Sequence, residues 1–265
     1  MHRKLLLIIL IVSSFGFSQD IDSLFVQGNN YYNDKDFSNS VKYYENILNQ
    51  GIYHQDLYFN LGNAYFKLEN YGNARWAYEM ALDLSPRDED IIYNLDIAKS
   101  KISNLIEPPD FLIIDSLNMI LDSFTYRNFV FLTSVLILLS SILFILYKIR
   151  PSEINKRLYY LLLFLSFISL VLSVDRFIWI KNNKFGIVIS ENAHAYSAPY
   201  VNENIKIFTL FSGNKVQVSQ NTNEWIEISV IDGRKGWIRV QDVRTLDWYE
   251  SNTYFITIWD SLQPR

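Results

Sequence analysis

Residues 55–88 read "QDLYFNLGNAYFKLENYGNARWAYEMALDLSPRD", and their spacing describes two helices folded onto each other. Tyr58, Leu61, Gly62 and Tyr65 recur at three- and four-residue steps, as do Ala74, Tyr78 and Ala81, so each run carries one apolar stripe. Gly62 and Ala74 let the two backbones approach, Tyr65 and Tyr78 fill the space between them, and Pro86 ends the second run.

The pattern recurs at a distance of 34 residues. Leu24, Gly28, Tyr31, Ser40 and Tyr44 stand in the same registers, so residues 21–54 form a degenerate first copy. A third copy begins at Glu89 with Ile92 and Leu95; only its first helix is clear, from Asp90 to about Leu105, and Asp96 replaces the small residue, as in a polar capping helix. With all eight signature positions of 55–88 filled, the segment resembles a tetratricopeptide repeat. That resemblance implies stacked hairpins whose concave face is lined by the first helix of each pair. The face would offer Phe25, Asn29, Tyr32 and Asn33 from one copy, then Phe59, Asn63, Phe66 and Lys67 from the next. Aromatics beside amides suit an extended or helical peptide, although Asn63 equally belongs to the ordinary "LGNAYF" helix pattern. A carboxylate clamp would need lysine where Phe25 and Phe59 stand.

The chain also carries membrane signals. "MHRKLLLIILIVSSFGFSQD" has a basic start, an apolar run and small residues before Gln19, which is the order of a secretory signal peptide over residues 1–18, cleaved or retained as an anchor. Phe129–Tyr147 runs without a charge, and Leu158–Val174 nearly repeats the feat. We place the spans at 128–147 and 158–180, with Trp179 at the interface. Between them the loop 148–157 holds Lys148, Arg150, Lys156 and Arg157 against Glu153, and short cationic loops stay in the cytoplasm. The expected topology is a two-pass hairpin with a cytoplasmic turn and exported N- and C-terminal parts.

Residues 107–127 join the repeats (19–106) to the first span. Pro108 and Pro109 break the helix, and Ile113, Leu117, Ile120, Leu121 and Phe124 then share one face, as in a helix lying on the membrane surface or packed against the repeats. Beyond the second span the apolar period becomes alternating in "GIVIS", "KIFTL", "KVQVSQ", "WIEISV" and "KGWIRV", with turns at Ser212-Gly213 and Asp232-Gly233. Five short strands fit a small barrel. Trp225, Asp232-Gly233 and Gly236-Trp237-Ile238 resemble a bacterial SH3 domain over residues 185–245. The resemblance implies a peptide or cell-wall groove recruiting Tyr196, Tyr200 and Trp225, unless the tryptophans only pack the barrel. Residues 246–265 form a C-terminal extension with no assigned role. The fold class is thus a multidomain membrane protein: all-α tetratricopeptide hairpins, a transmembrane helix pair and an all-β SH3-like barrel.

Composition narrows the chemistry. The net charge of −4 conceals −9 over residues 19–128, which repels nucleic acid and suits protein partners. Absence of cysteine removes thiolate catalysis and disulfides. The three histidines, His2, His54 and His194, have no metal-ligand spacing, and no phosphate loop or nucleophile elbow appears. We therefore expect no enzyme, no catalytic residues, no metal and no cofactor.

The order of these parts, including "IEPPDF", resembles the BatE family of the Bacteroides aerotolerance operon across nearly the whole chain. It implies a bacterial inner-membrane scaffold or adaptor, its exported N- and C-terminal domains periplasmic, beside other Bat proteins, some with von Willebrand factor A domains, and indirectly a MoxR-type ATPase. The alternative is a sensor whose barrel grips peptidoglycan.

Overall fold

A computed structural model describes residues 21–107 and 124–246. The expected signal peptide, the expected amphipathic linker helix up to residue 123 and the expected C-terminal extension from residue 247 lie outside them. The described residues divide into two compact units, one made of the N- and C-terminal parts together and one of the two apolar helices.

In the first unit, residues 21–33 form helix α1. It is followed by α2 (Phe37–Asn49), α3 (Gln55–Lys67), α4 (Tyr71–Leu84) and α5 (Glu89–Lys101). The 34-residue period governs their contacts as well as their sequence. A Cβ on Gly28 would lie 2.5 Å from the Tyr44 ring, and one on Gly62 would lie 2.7 Å from Tyr78, so glycine is what lets each pair of helices close. Phe25 tilts against Tyr44 at 5.9 Å as Phe59 does against Tyr78 at 6.0 Å, and Tyr32–Phe37 is repeated by Phe66–Tyr71. Even the turns match: Lys35 and Glu69 both take positive φ, and Asp36 and Asn70 both cap the following helix.

The third copy stops at Lys101, earlier than the expected Leu105. Ile102 leaves the helix in extended backbone and Asn104 turns left-handed, because residues 102–107 are drawn to the barrel. There Ile106 N–H donates to Asn214 Oδ1 at 2.8 Å, and the Ile106 side chain packs on the barrel core. Among the described residues no ring from a second helix packs at this position, and Asp96 stays exposed.

The C-terminal part is a seven-stranded antiparallel sheet: β1 (Lys184–Val188), β2 (Asn192–Tyr196), β3 (Lys206–Phe211), β4 (Lys215–Asn221), β5 (Trp225–Ser229), β6 (Lys235–Arg239) and β7 (Val243–Leu246), in the order β3-β2-β6-β5-β4-β1-β7. Val188, Leu210, Val216, Ile226, Ile228 and Ile238 fill its interior. Two strands exceed the five expected. β2 is built from "NAHAY" and β7 from "VRTL", stretches too poor in alternating apolar residues to announce themselves.

The second unit is a pair of helices, α6 (Tyr126–Ile149) and α7 (Glu153–Asn182), both long and apolar enough to cross a membrane. Phe131, Leu138 and Phe167 are 72%, 62% and 63% exposed, so these are not the buried helices of a globular core. Their contact is made by small hydroxyl residues. Thr133 Oγ1 donates to Phe129 O at 2.8 Å and lies 3.0 Å from Ser169 Oγ, while Ser169 and Ser173 reach backbone carbonyls of α6. The polar turn is shorter than the expected 148–157. Pro151 interrupts the helix at Arg150–Ser152, and the flanking Lys148, Lys156 and Arg157 lie on the helix ends, since such residues are good helix formers.

Candidate functional site

The groove residues lie on the first helix of each copy. α1 and α3 are joined by Asn60 Nδ2 donating to Asn29 Oδ1 at 3.2 Å, and α3 and α5 by Asn94 Nδ2 donating to Asn63 Oδ1 at 3.5 Å. Each receiving oxygen also accepts a tyrosine hydroxyl, Tyr44 to Asn29 at 2.6 Å and Tyr78 to Asn63 at 2.7 Å. Burial, above all, raises the pKa of both hydroxyls, so they stay protonated donors. The result is an amide ladder across the face of the repeats, whose carbonyl ends are committed inward. Asn29, Tyr32 and Asn33 line a hollow of about 260 Å³ together with Tyr44 and Asn60. Phe25, Phe59 and Phe66 are half-buried beside the ladder, and Asn33 and Lys67 are exposed. Asn60 and Asn94 escape a reading of the sequence, although both stand 31 residues after a ladder asparagine.

The barrel aromatics are arranged differently. Tyr196 and Trp225, 6% and 8% exposed, meet edge to face at 5.6 Å inside the domain, while Tyr200 stands in the following loop at 52% exposure. The structure brings the first two together as packing and leaves Tyr200 as the accessible ring of the three.

A joint between repeats and barrel, absent from the sequence reading, dominates the remaining polar geometry. Arg75 Nε donates to Glu79 Oε1 at 2.9 Å, and Arg75 also donates to Gly213 O at 2.9 Å. Glu79 holds Lys215 with its other oxygen. Burial by itself raises the Glu79 pKa, but Lys215 and then Arg75 outweigh it and hold the carboxyl at about 2. Arg244 grips Glu45 through two nitrogens at 2.7 and 3.1 Å, and its guanidinium lies 3.4 Å from the Trp76 ring centre. Trp76 Nε1 donates to Thr245 O at 2.9 Å, which covers part of the β7 edge. Tyr65, expected only as filler, donates to Glu45 at 2.8 Å; burial first and Glu45 second raise its pKa. Ile187 and Leu246 of the barrel belong to the same buried cluster as Leu61 and Trp76. The polar helix partners here, Tyr65 apart, sit on α2 and α4, the second helices, so the barrel occupies the outer face and leaves the ladder face open. The signal in the sequence was thin: Arg75 and Glu79 look like an ordinary surface i,i+4 pair, and only a tryptophan beside them hints at cover.

Comparison with known families agrees with this architecture. Residues 55–88 match the tetratricopeptide repeat model, and residues 190–244 match the bacterial SH3 domain model. A search of the curated proteins found no match to the chain. The chain therefore carries a tetratricopeptide repeat and a bacterial SH3 domain, modules that bind protein or cell-wall partners.

Proposed function

We propose that the protein is a non-catalytic scaffold of the bacterial inner membrane, anchored by α6 and α7, whose repeat groove binds a segment of another envelope protein. The observation that carries this reading is the division of faces. The barrel closes the outer helices, while the ladder face keeps its half-buried aromatics, amides and hollow accessible. Two arguments support the two-pass topology with both ends periplasmic. Lys148, Arg150, Lys156 and Arg157 cluster at the turn. Residues 21–107 and 184–246 also form one compact unit, so the chain between them has to leave and return on the same side of any membrane it enters. On the BatE resemblance, such a scaffold would work beside Bat proteins with von Willebrand factor A domains, and indirectly beside a MoxR-type ATPase.

A photo-crosslinking residue at Asn33 or Lys67 in the full-length membrane protein tests the groove, with exposed Asn46 on α2 as the control. Adducts from the first two positions and none from the control are expected; equal adducts, or none, refute the reading. Because the chain has no cysteine, single Asn46→Cys and Ser152→Cys variants test topology. A membrane-impermeant maleimide applied to spheroplasts labels the first and spares the second.

The bacterial SH3 match and the exposed Tyr200 favour a second reading, in which the barrel grips peptidoglycan. Co-sedimentation of the solubilised protein with purified sacculi, lost in Tyr200→Ala, would establish it. Failure to sediment removes it.

A further inference from the structure

The groove face has an electrical direction. On each first helix, one stripe at i, i+3, i+7 and i+11 runs from acid to aromatic to the far rim: Asp22-Phe25-Asn29-Asn33 on α1, Asp56-Phe59-Asn63-Lys67 on α3 and Asp90-Tyr93-Ile97-Lys101 on α5. Asp22, Asp56 and Asp90 are exposed, as are Lys67 and Lys101. Acids in a first turn and bases in a last turn complement any helix dipole, but that general effect would apply equally to the second helices. α2 and α4 carry neither an acid in the first turn nor a base in the last, whereas α3 and α5 carry both. Among the repeat helices α2 to α5 the polarity is confined to those that line the groove.

Spacing selects the shape of the occupant. Neighbouring packed helices lie about 8–10 Å apart, so Phe25, Phe59 and Tyr93 form a row with that step. An extended chain covers the step in about three residues, which turns successive side chains to opposite faces. A helix covers the wide, roughly 10 Å end of that step in nearly seven residues, two turns, and keeps them on one face.

We infer that the groove takes an amphipathic helix of a partner protein, with apolar residues seven apart on the aromatic row, a Lys/Arg flank along the Asp22, Asp56 and Asp90 rim, and an acidic flank along Lys67 and Lys101. The inference rests on the groove reading proposed above and adds the chemistry and orientation of its ligand. Protein segments with a basic flank are complementary to this rim, and the chain's own linker, "PPDFLIIDSLNMILDSF", is acidic and poorly matched to it.

The test uses the full-length protein in detergent and two labelled 18-residue helical peptides as probes. Both carry leucine at heptad spacing; one has lysine on one flank and glutamate on the other, and its control has every charge made neutral glutamine. Fluorescence anisotropy should show the charged peptide binding about ten-fold more tightly, from several exposed pairs of about two-fold each, with the advantage fading by about 0.5 M salt. A Asp22→Asn/Asp56→Asn/Asp90→Asn triple variant should lose most of that preference, and Tyr93→Ala should weaken both peptides alike. Far-UV circular dichroism confirms that each variant is folded. Equal binding of the two peptides, or a preference the triple variant leaves unchanged, overturns the inference. Groove crosslinks to another protein would still stand in that case, which separates the two failures. Absence of binding by both peptides, with crosslinks from Tyr93 landing within the chain itself, also overturns it and assigns the groove to a segment of this protein.

Discussion

Replacing Glu79 with glutamine should loosen the barrel from the repeats. The carboxylate is 8% exposed and answers two cations, Arg75 at 2.9 Å and Lys215 from the barrel. Its pKa falls from 4.5 to about 2 despite burial that pushes the other way. A displacement of that size corresponds to about 3 kcal/mol in favour of the ionised cluster. Removing one partner of a buried ion pair independently costs about 3–5 kcal/mol, because the remaining charge stays out of water. Glutamine keeps the volume and one acceptor, so we expect a loss of about 2–3 kcal/mol at pH 7. The sign with pH follows from the depressed folded-state value. Between pH 4.5 and about 2 the unfolded chain binds the extra proton, so the contribution is complete above pH 4.5 and drains away as pH falls toward 2. Urea unfolding of the solubilised full-length protein measures the loss, with hydrogen exchange at the Thr245 region localising it to the joint. A Glu79→Gln protein within about 0.5 kcal/mol of the parent would refute the reasoning. So would a variant that keeps the parent's acid-side slope.

Three further outcomes are expected. Gly72→Ala places a Cβ against Ser212 Oγ and 3.1 Å from Val188 O, and should cost about 1–3 kcal/mol in thermal unfolding, with Ser212→Ala restoring part of it. Arg244→Lys loses the two-pronged hold on Glu45 and the stack on Trp76, and should destabilise by about 1–2 kcal/mol with a change in tryptophan emission; an unchanged spectrum would contradict the stacking. Tyr78→Phe should cost about 1 kcal/mol by urea unfolding and Tyr44→Phe a similar amount, since each removes one hydroxyl from an equivalent asparagine.

What the sequence discloses follows the range of the interactions. The tetratricopeptide hairpins are legible because Gly62 meets Tyr78 within one repeat, and the period copies that contact back to Gly28 and Tyr44. The barrel hairpins are legible for the same reason. β2 and β7 are not, because their pairing partners supply what "NAHAY" and "VRTL" lack. The groove stripe on α1 and α3 can be read from a helical period, but Asn60 gains meaning only from the neighbouring helix it bonds. The joint is the least legible element. Arg75 and Gly213, or Glu45 and Arg244, stand so far apart in the chain that no local pattern links them. Asn214 likewise reads as a turn residue until its side chain is seen holding Ile106 and Asn104.

The joint also has a history written into chain order. α2 and α4 emerge from the ribosome well before Arg244 and Thr245, which cover Trp76, and at ordinary rates of synthesis the interval is on the order of ten seconds. Through that interval the newborn repeats present a buried-type arginine, glutamate and tryptophan to solvent while the apolar helices are being delivered. Completion of the N-terminal fold thus waits for β7, which follows the apolar helices in the chain. A product cut short before β7 lacks the Arg244 and Thr245 cover of Trp76, so its repeats keep an unsealed outer face.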